Sequence, residues 1–302
     1  MMTPATIEAA ELTLERAGES IPPRVRARRR STAKLLLLAL LAVILLVVIS
    51  PVIVVVLGSF LNTSFLGLSS EQWVGDGTDA NALITFQWFS YVLKLYQPQL
   101  LFSFQLAVLS VVVCILIGVP AGYLIARGSF PGRRWLEELL LLPLALPGIA
   151  ISIALIQAYA VIRGRWYFVL FGHLIYTLPF MARCVAGTLR SFDCAALERA
   201  AQSLGAGPWQ RFFFVVLPSL RHAITLGALL VFAVSFGEFN VSFLLMTPLT
   251  ATFPSALYAT YTFNSFQVSS AATVVFLAVI LPVLALIQWL GGDELSKVEQ
   301  GA

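Results

Sequence analysis

The sequence predicts an all-α membrane protein with six transmembrane helices. Two observations support this fold class. First, 59% of the 302 residues are apolar and only 11% are charged, whereas about 25% of residues are charged in a soluble domain. Second, the apolar residues form long stretches with almost no charge, as a bilayer requires. Each stretch should be a helix, because an open strand leaves backbone hydrogen-bonding groups unsatisfied in lipid.

Six stretches approach or exceed the length needed to cross the hydrocarbon core of a bilayer. They are residues 35–60, 101–126, 139–162, 166–190, 221–246 and 270–291, within a transmembrane domain of residues 34–292. Residues 1–33, which have mixed charge and two prolines, are predicted to be a mobile cytoplasmic tail. Residues 293–302 are predicted to be a second cytoplasmic tail.

The distribution of Lys and Arg predicts that both termini are cytoplasmic. Six cations between Arg24 and Lys34 precede the first span, and this side of the membrane carries 15 of the 19 Lys and Arg residues besides Arg16 of the N-terminal tail. The opposite side carries Lys94, Arg163 and Arg165. Cytoplasmic loops hold the excess of positive charge in membrane proteins. A nucleic-acid-binding arm is the weaker interpretation, because no basic stripe continues along the chain.

The residue inventory argues against an enzyme or a metal centre. The three cysteines, Cys114, Cys184 and Cys194, are odd in number and predict neither a disulfide framework nor a metal site. His173, on an apolar span, is predicted to be a hydrogen-bonded packing residue, and His222 is predicted to be solvated. The sequence has no G-x-x-x-x-G-K-[ST], His-Glu-x-x-His or Gly-x-Ser-x-Gly motif. We therefore expect no catalytic residue, cofactor or metal.

Residues 193–218, between the fourth and fifth spans, predict two short helices joined by a sharp turn. Asp193 is a favourable N-cap for the first helix. Gly205 can adopt the left-handed conformation that ends a helix. Pro208 suits the first turn of the second helix, and Pro218 is expected to break that helix before the fifth span.

The first of these helices has a narrow apolar stripe. Leu197, Ala200, Ala201 and Leu204 recur at three-to-four-residue spacing. One interpretation is that the stripe lies in a groove of a cytoplasmic partner. The other is that it packs against the helices of its own chain. The pattern by itself leaves both open.

The same segment resembles the EAA loop of binding-protein-dependent ABC importer permeases. That pattern is Glu-Ala-Ala, three residues, Gly, nine residues, an aliphatic residue, one residue and Leu-Pro. Here Ala200-Ala201, Gly205 and Leu217-Pro218 have this spacing. The resemblance implies that the segment couples the membrane domain to an ATPase.

The segment departs from the pattern at two positions. The glutamate position is occupied by Arg199, and a glutamate stands one residue earlier at Glu198. The aliphatic position is occupied by Val215, which is a conservative change. We include Glu198 and Arg199 in the predicted coupling loop, and the role of the displaced glutamate is an open question at this stage.

The resemblance extends over most of the membrane region and implies a MetI-like permease core in a bacterial inner (plasma) membrane. Such subunits work in pairs, as two copies or two related chains. They assemble with two ABC ATPase subunits and a periplasmic or extracellular solute-binding protein. A stand-alone secondary transporter and a membrane-bound enzyme are the alternatives from other classes, and neither explains the EAA-like loop.

The segment 247–254, followed by Leu257-Tyr258, resembles the spermidine/putrescine or 2-aminoethylphosphonate branch of these permeases. This resemblance implies a small polar organic solute such as a polyamine as substrate. Iron(III) and sulfate permeases are close relatives and supply the alternative substrates.

Two features of the spans suggest a translocation pathway. Glu238 is the only acidic residue within a predicted span, and Asn240 follows it closely. A carboxylate at this depth should face a cavity or a polar partner, so Glu238 either lines the pathway or serves as a structural hydrogen-bond partner. Pro143, Pro147 and Gly148 interrupt the third span, where they form either a hinge or a static kink.

Overall fold

The computed structural model describes residues 23–61, 84–128, 131–191 and 194–300, and these residues are almost entirely helical. The helices are α1 Pro23–Phe60, α2 Gln87–Arg127, α3 Arg133–Ala145, α4 Gly148–Ala158, α5 Trp166–Ser191, α6 Cys194–Ser203, α7 Pro208–Ser219, α8 Arg221–Gly237, α9 Asn240–Leu245, α10 Phe253–Phe263 and α11 Phe266–Gln300. Within these residues β-pairing is limited to one isolated bridge. The predicted all-α fold class is confirmed.

The chain divides into two compact units, residues 1–57 and residues 58–302. The described part of the first unit is α1, which begins at Pro23 rather than at residue 35. Proline suits the first helical position, and the Arg, Ala and Lys residues that follow are good helix formers. The predicted tail of residues 1–33 therefore includes the first turns of α1, and its remainder, residues 1–22, lies outside the described residues.

Four described helices are long and apolar enough to cross a membrane, namely Leu37–Phe60 of α1, all of α2, all of α5 and Phe266–Leu290 of α11. Two further pairs of helices meet the same criteria together but are bent at a short break. They are α3 with α4, bent by 108°, and α7 with α8, bent by 70°. Six spans result if each bent pair is counted as one.

The predicted third span, residues 139–162, is not one continuous helix. The chain turns by 108° at Leu146 and Pro147, between α3 and α4. Leu146 has an extended backbone with ψ 141°, as expected for a residue before proline. A single 3₁₀ turn, Ala160–Ile162, follows α4.

The predicted fifth span, residues 221–246, is also interrupted. Helix α8 ends at Gly237, and α9 begins at Asn240. Glu238, between them, has an extended backbone with ψ 116°. The lone acidic residue of the predicted spans therefore lies in a helix break and not in a helix.

Two other helices are longer than the sequence predicts. Helix α2 begins at Gln87 rather than at residue 101 and contains Pro98. Helix α11 continues to Gln300 and so includes residues 293–300 of the segment predicted as the C-terminal tail, residues 293–302. Helix α5 matches the predicted fourth span closely.

Helices α2, α5 and α8 form the centre of the second unit. Cys114 of α2, Met181 and Val185 of α5 and Val231 of α8 are fully buried against one another in one apolar cluster. The cysteine side chains in this region are free thiols. Dense packing of this kind supports helix association in lipid, where the hydrophobic effect between helices is weak.

A chain of polar side chains crosses this core. His173 Nδ1 lies 2.8 Å from Ser235 Oγ, and its Nε2 lies 2.7 Å from Ser242 Oγ. The Ser235 hydroxyl donates to Ser110 Oγ over 3.2 Å. Because Ser235 has one proton to donate, the imidazole must donate to it from Nδ1 and accept from Ser242 at Nε2. The network joins α2, α5, α8 and α9, and the prediction that His173 is a hydrogen-bonded packing residue is confirmed.

We expect His173→Ala to destabilise the protein by about 2–4 kcal/mol, because it removes a buried ring together with its hydrogen bonds to Ser235 and Ser242. The midpoint of thermal unfolding in detergent should fall by several degrees. The matched control is His222→Ala, which removes an exposed imidazole and should leave the midpoint unchanged. Equal midpoints for the two variants would contradict a structural role for His173.

Candidate functional site

Helix α6 ends in a left-handed glycine, as the sequence predicts. Gly205 has φ +85°, its N–H donates to Gln202 O over 2.9 Å, and the N–H of Ala206 donates to Ala201 O over 3.0 Å. This pair of hydrogen bonds defines a Schellman C-cap. A Cβ atom at Gly205 would meet nothing within 4 Å, so there is open space beside the turn. Asp193, the predicted N-cap of α6, lies outside the described residues.

Helix α7 begins at Pro208, three residues after Gly205. Pro208 occupies its first turn, and the backbone N–H of Gly207 donates to the side-chain oxygen of Gln210 over 2.8 Å. Gln210 thus supplies one half of a capping box. The turn between α6 and α7 is therefore closed by local hydrogen bonds on both sides.

Helix α7 ends before the fifth span, as the sequence predicts, although its last residue is Ser219 and not Pro218 itself. Residues 212–216 form a π-helical turn, in which the Leu217 N–H donates to Phe212 O. Pro218 has no N–H to donate to the carbonyl four residues earlier, and a wider turn before it accommodates this loss. The 70° bend falls at Leu220, after the short α-turn Leu217–Ser219.

The two charged residues at the start of the motif face different environments. The side chain of Glu198 is only 14% exposed and lies 3.5 Å from Arg127 Nε at the end of α2. Arg199 is exposed and forms no ion pair with a described residue. Successive helical residues are rotated by about 100°, so the one-residue displacement of the glutamate turns it towards its own chain.

The apolar stripe of α6 faces outwards. Leu197 and Ala200 are exposed, and Leu204 is 88% exposed. Trp209 and Phe214 of α7 are exposed apolar side chains as well, with exposures of 74% and 79%. The structure therefore contradicts the interpretation that the stripe packs against its own bundle. It favours the other interpretation, in which the apolar surface is available to a partner.

The helix breaks in the third and fifth predicted spans lie next to each other. A Cβ atom added to Gly148, the first residue of α4, would lie 2.9 Å from Asn240 Cβ and 3.2 Å from Tyr176 Oη. The Tyr176 hydroxyl donates to Leu146 O over 3.0 Å, which satisfies a carbonyl freed by the break. The structure thus brings together the predicted hinge residue Gly148 and the predicted pathway residue Asn240. We call this contact the paired breaks.

Glu238 caps the second half of the interrupted fifth span. Its Oε1 accepts the Val241 N–H over 2.9 Å, and a carboxylate is favoured at a helix N-terminus. Tyr176 lies within range of an electrostatic interaction with this carboxylate. Glu238 therefore has a structural partner, and it also lies beside the paired breaks.

The described residues contain no group of three or more His, Cys, Asp or Glu side chains that could hold a metal ion. The chemistry available here is hydrogen bonding and charge at helix ends.

The sequence was compared with models of known families. Residues 118–292 match the family described as "Binding-protein-dependent transport system inner membrane component", and the match covers more than half of the chain. The chain belongs to this family. Its members are membrane components and not enzymes. This chain is likewise a multi-pass permease component.

Several transport system permease proteins are similar to this chain in sequence. The molybdenum transport system permease protein ModB of Escherichia coli K12 is 29% identical over 214 residues, which cover 63% of this chain and 91% of ModB. ModB of Mycobacterium tuberculosis is 31% identical over 212 residues, covering 65% and 78%. The sulfate transport system permease protein CysT of E. coli K12 is 31% identical over 176 residues, covering 52% and 63%. A 2-aminoethylphosphonate transport system permease protein, PhnV of Salmonella choleraesuis, is 26% identical over 200 residues, covering 64% and 75%.

Solved structures confirm the fold of the permease. A bacterial ABC transporter that imports the acidic polysaccharide alginate contains a chain with a TM-score of 0.68 and 17% identity, and the match covers 86% of this chain and 97% of that one. The MetNI methionine ABC transporter matches with a TM-score of 0.56 and 18% identity, covering 69% and 97%. At this level of identity the likeness establishes the MetI-like fold alone.

Sequence reasoning missed three residues that the structure places at these sites, namely Tyr176, Tyr123 and Arg127. Tyr176 lies at the paired breaks and Tyr123 lies at the end of α2. Both are polar side chains in apolar spans, and this feature could have marked them as candidates from the sequence. Arg127 was assigned only as a positive-inside residue. Its partner on α6 is 71 positions away in the sequence, so no local pattern could reveal the pair.

Proposed function

We propose that this permease is the translocation subunit of a bacterial ABC importer and that residues 194–219 are the site at which a separate ATPase subunit docks. The observation that carries the proposal is the set of exposed apolar side chains on α6 and α7, two helices joined by the exposed turn at Gly205. An amphipathic helix with such a face fits a partner's groove. ATP hydrolysis belongs to the partner, because the chain has no phosphate-binding loop.

The proposed assembly contains a second permease subunit, two ATPase subunits and an external solute-binding protein in the inner membrane. A solved relative is a bacterial alginate ABC transporter in complex with an alginate-bound periplasmic protein. The Lys and Arg distribution supports cytoplasmic termini and places residues 194–219 on the same side as the ATPase. The predicted domain limits, 1–33, 34–292 and 293–302, are part of this proposal.

We propose a substrate that carries a tetrahedral oxyanion group. Sulfate and 2-aminoethylphosphonate, which are named for two of the relatives above, both have such a group. Molybdate, which has one as well, is named for a further relative, the molybdate/tungstate transport system permease protein WtpB of Pyrococcus furiosus. The sequence alone favoured a polyamine, but none of the relatives described above is named for a polyamine. None of them is named for iron(III) either.

The test is copurification followed by uptake. A tagged wild-type chain, gently solubilised from native membranes, should carry an ATPase subunit with it. Cells that lack the chain should lose uptake of [99Mo]molybdate or [35S]sulfate, and the wild-type gene should restore it. Uptake of [14C]putrescine in place of both anions would contradict the oxyanion proposal and leave the importer proposal intact. The absence of any ATPase would contradict the importer proposal itself.

Glu238→Gln separates the capping and pathway roles of this residue. The amide oxygen of glutamine still accepts the Val241 N–H, so we expect assembly and thermal stability to be retained. If Glu238 lines the pathway, removal of its charge should change anion uptake, because a carboxylate beside the path of an anion alters the electrostatic barrier to its passage. Glu238→Ala, which also removes the cap, should lower stability by about 1 kcal/mol. Wild-type uptake by Glu238→Gln would leave Glu238 with a capping role only.

A further inference from the structure

We call residues 194–219 the docking segment. Its first helix, α6, is attached to the end of α2 through Glu198. One carboxylate oxygen of Glu198 accepts a hydrogen bond from the Tyr123 hydroxyl over 3.1 Å. The other lies 3.5 Å from Arg127 Nε. Tyr123 and Arg127 are one turn apart on α2, so a single side chain of α6 contacts two residues on one face of that helix.

Helix α7 reinforces the same junction. Arg211 donates from Nη1 to the side-chain oxygen of Gln202 on α6 over 2.9 Å. The ring of Phe212 packs edge-to-face against Tyr123, with 5.2 Å between centroids. The end of α2 therefore contacts both helices of the docking segment, and we call Tyr123, Arg127 and Glu198 the α2 clamp.

The charges in the clamp depend on one another. Arg127 Nε and Nη2 are buried and have no hydrogen-bond partner among the described residues. Within those residues, Glu198 is the carboxylate that compensates this guanidinium. Removing one partner of a poorly solvated ion pair leaves the other charge uncompensated, which is costlier than losing a surface pair.

We propose that Glu198 is a positioning residue that fixes α6 to the end of α2, so that movement of the ATPase against α6 is delivered to α2. Helix α2 runs from this junction through the centre of the bundle, where it packs against α5 and α8. A contiguous set of packed and hydrogen-bonded elements is the physical requirement for such coupling. The proposal rests on the proposed function for the identity of the partner.

The test compares Glu198→Gln, Arg127→Gln and the double variant with wild type. Glutamine at residue 198 can still accept from Tyr123 but has no charge for Arg127. The matched control is Glu138→Gln, the same change at an exposed carboxylate of α3 that has no ion pair with a described residue. Amide hydrogen exchange of the solubilised chain reports the attachment directly. Uptake per ATP hydrolysed, measured in proteoliposomes with [99Mo]molybdate or [35S]sulfate, reports its use in transport.

We expect Glu198→Gln to raise amide exchange in α6 and α7 about fivefold while the core helices keep wild-type exchange. Uptake per ATP should fall about fivefold, and the double variant should be no worse than either single one, since both remove the same interaction. Wild-type exchange in α6, exchange that rises throughout the chain, or an unchanged uptake per ATP would each overturn the proposal. If wild-type protein binds no ATPase, the proposed function fails, and the exchange measurement still decides whether Glu198 holds α6 in place.

Discussion

Gly205→Asp should remove the ATPase subunit from the purified protein while the permease itself remains folded. The φ of +85° is unfavourable for residues with a Cβ, although Asp and Asn tolerate it better than most. The open space around this position means that no internal contact is disturbed. The added carboxylate lies beside Leu204 in a surface that must become buried on docking, so we expect at least a tenfold loss of copurified ATPase, measured by quantitative mass spectrometry.

Gly205→Asn is the matched control, because asparagine has nearly the same shape as aspartate and no charge. It should retain most of the ATPase, since the left-handed turn is preserved at a modest cost. Equal losses for Asp and Asn would assign the effect to backbone strain at the turn. Wild-type amounts of ATPase with Gly205→Asp would remove the main support for docking at α6.

Gly148→Ala should abolish most substrate uptake and leave the complex assembled. The new methyl group would lie 2.9 Å from Asn240 Cβ, closer than side chains pack, so α4 and α9 must separate by some tenths of an ångström. The Tyr176 hydroxyl lies 3.2 Å from the same point, and its bond to Leu146 O should be strained as well. We expect anion uptake to fall about tenfold. The two helix breaks are packed against each other, so a small displacement at their contact moves both breaks.

Two further variants make this result specific. Gly187→Ala adds a methyl group on α5 where nothing lies within 4 Å, and its uptake should equal wild type. Gly148→Ala combined with Asn240→Gly removes the opposing Cβ and should recover part of the uptake. Normal uptake by Gly148→Ala would show that the close contact at the paired breaks is not required for transport.

Local chemistry was enough to predict the turn at Gly205 and the start of α7. A helix that must end at an exposed site needs a left-handed residue, and glycine supplies one without steric cost. Pro208 likewise selects a first-turn position. These features depend on residues within a few positions of one another, so a sequence pattern contains them.

The helix breaks were only partly visible in the sequence. Pro147 marked the interruption of the third span, but the size of the bend, 108°, depends on where α3 and α4 find packing partners. No proline marks the break at Glu238. There the Glu238 carboxylate caps α9 by accepting the Val241 N–H, and this hydrogen bond favours the interruption. Val241 is near the start of a helix, where backbone N–H groups have no helical partner, and only the structure shows that α9 starts there.

The sequence by itself determined that this protein is an α-helical membrane permease in which two short helices are joined by a turn at Gly205. Lipid offers no hydrogen bonds to the backbone, so long apolar stretches must be helices, and the motif around Gly205 is contained in a short stretch of chain. The tertiary structure alone decided that Glu198 faces Tyr123 and Arg127, and that Gly148 meets Asn240. These partners lie more than 70 positions apart in the chain and are brought together by helix packing, which depends on the shapes of whole helix faces and not on any local pattern.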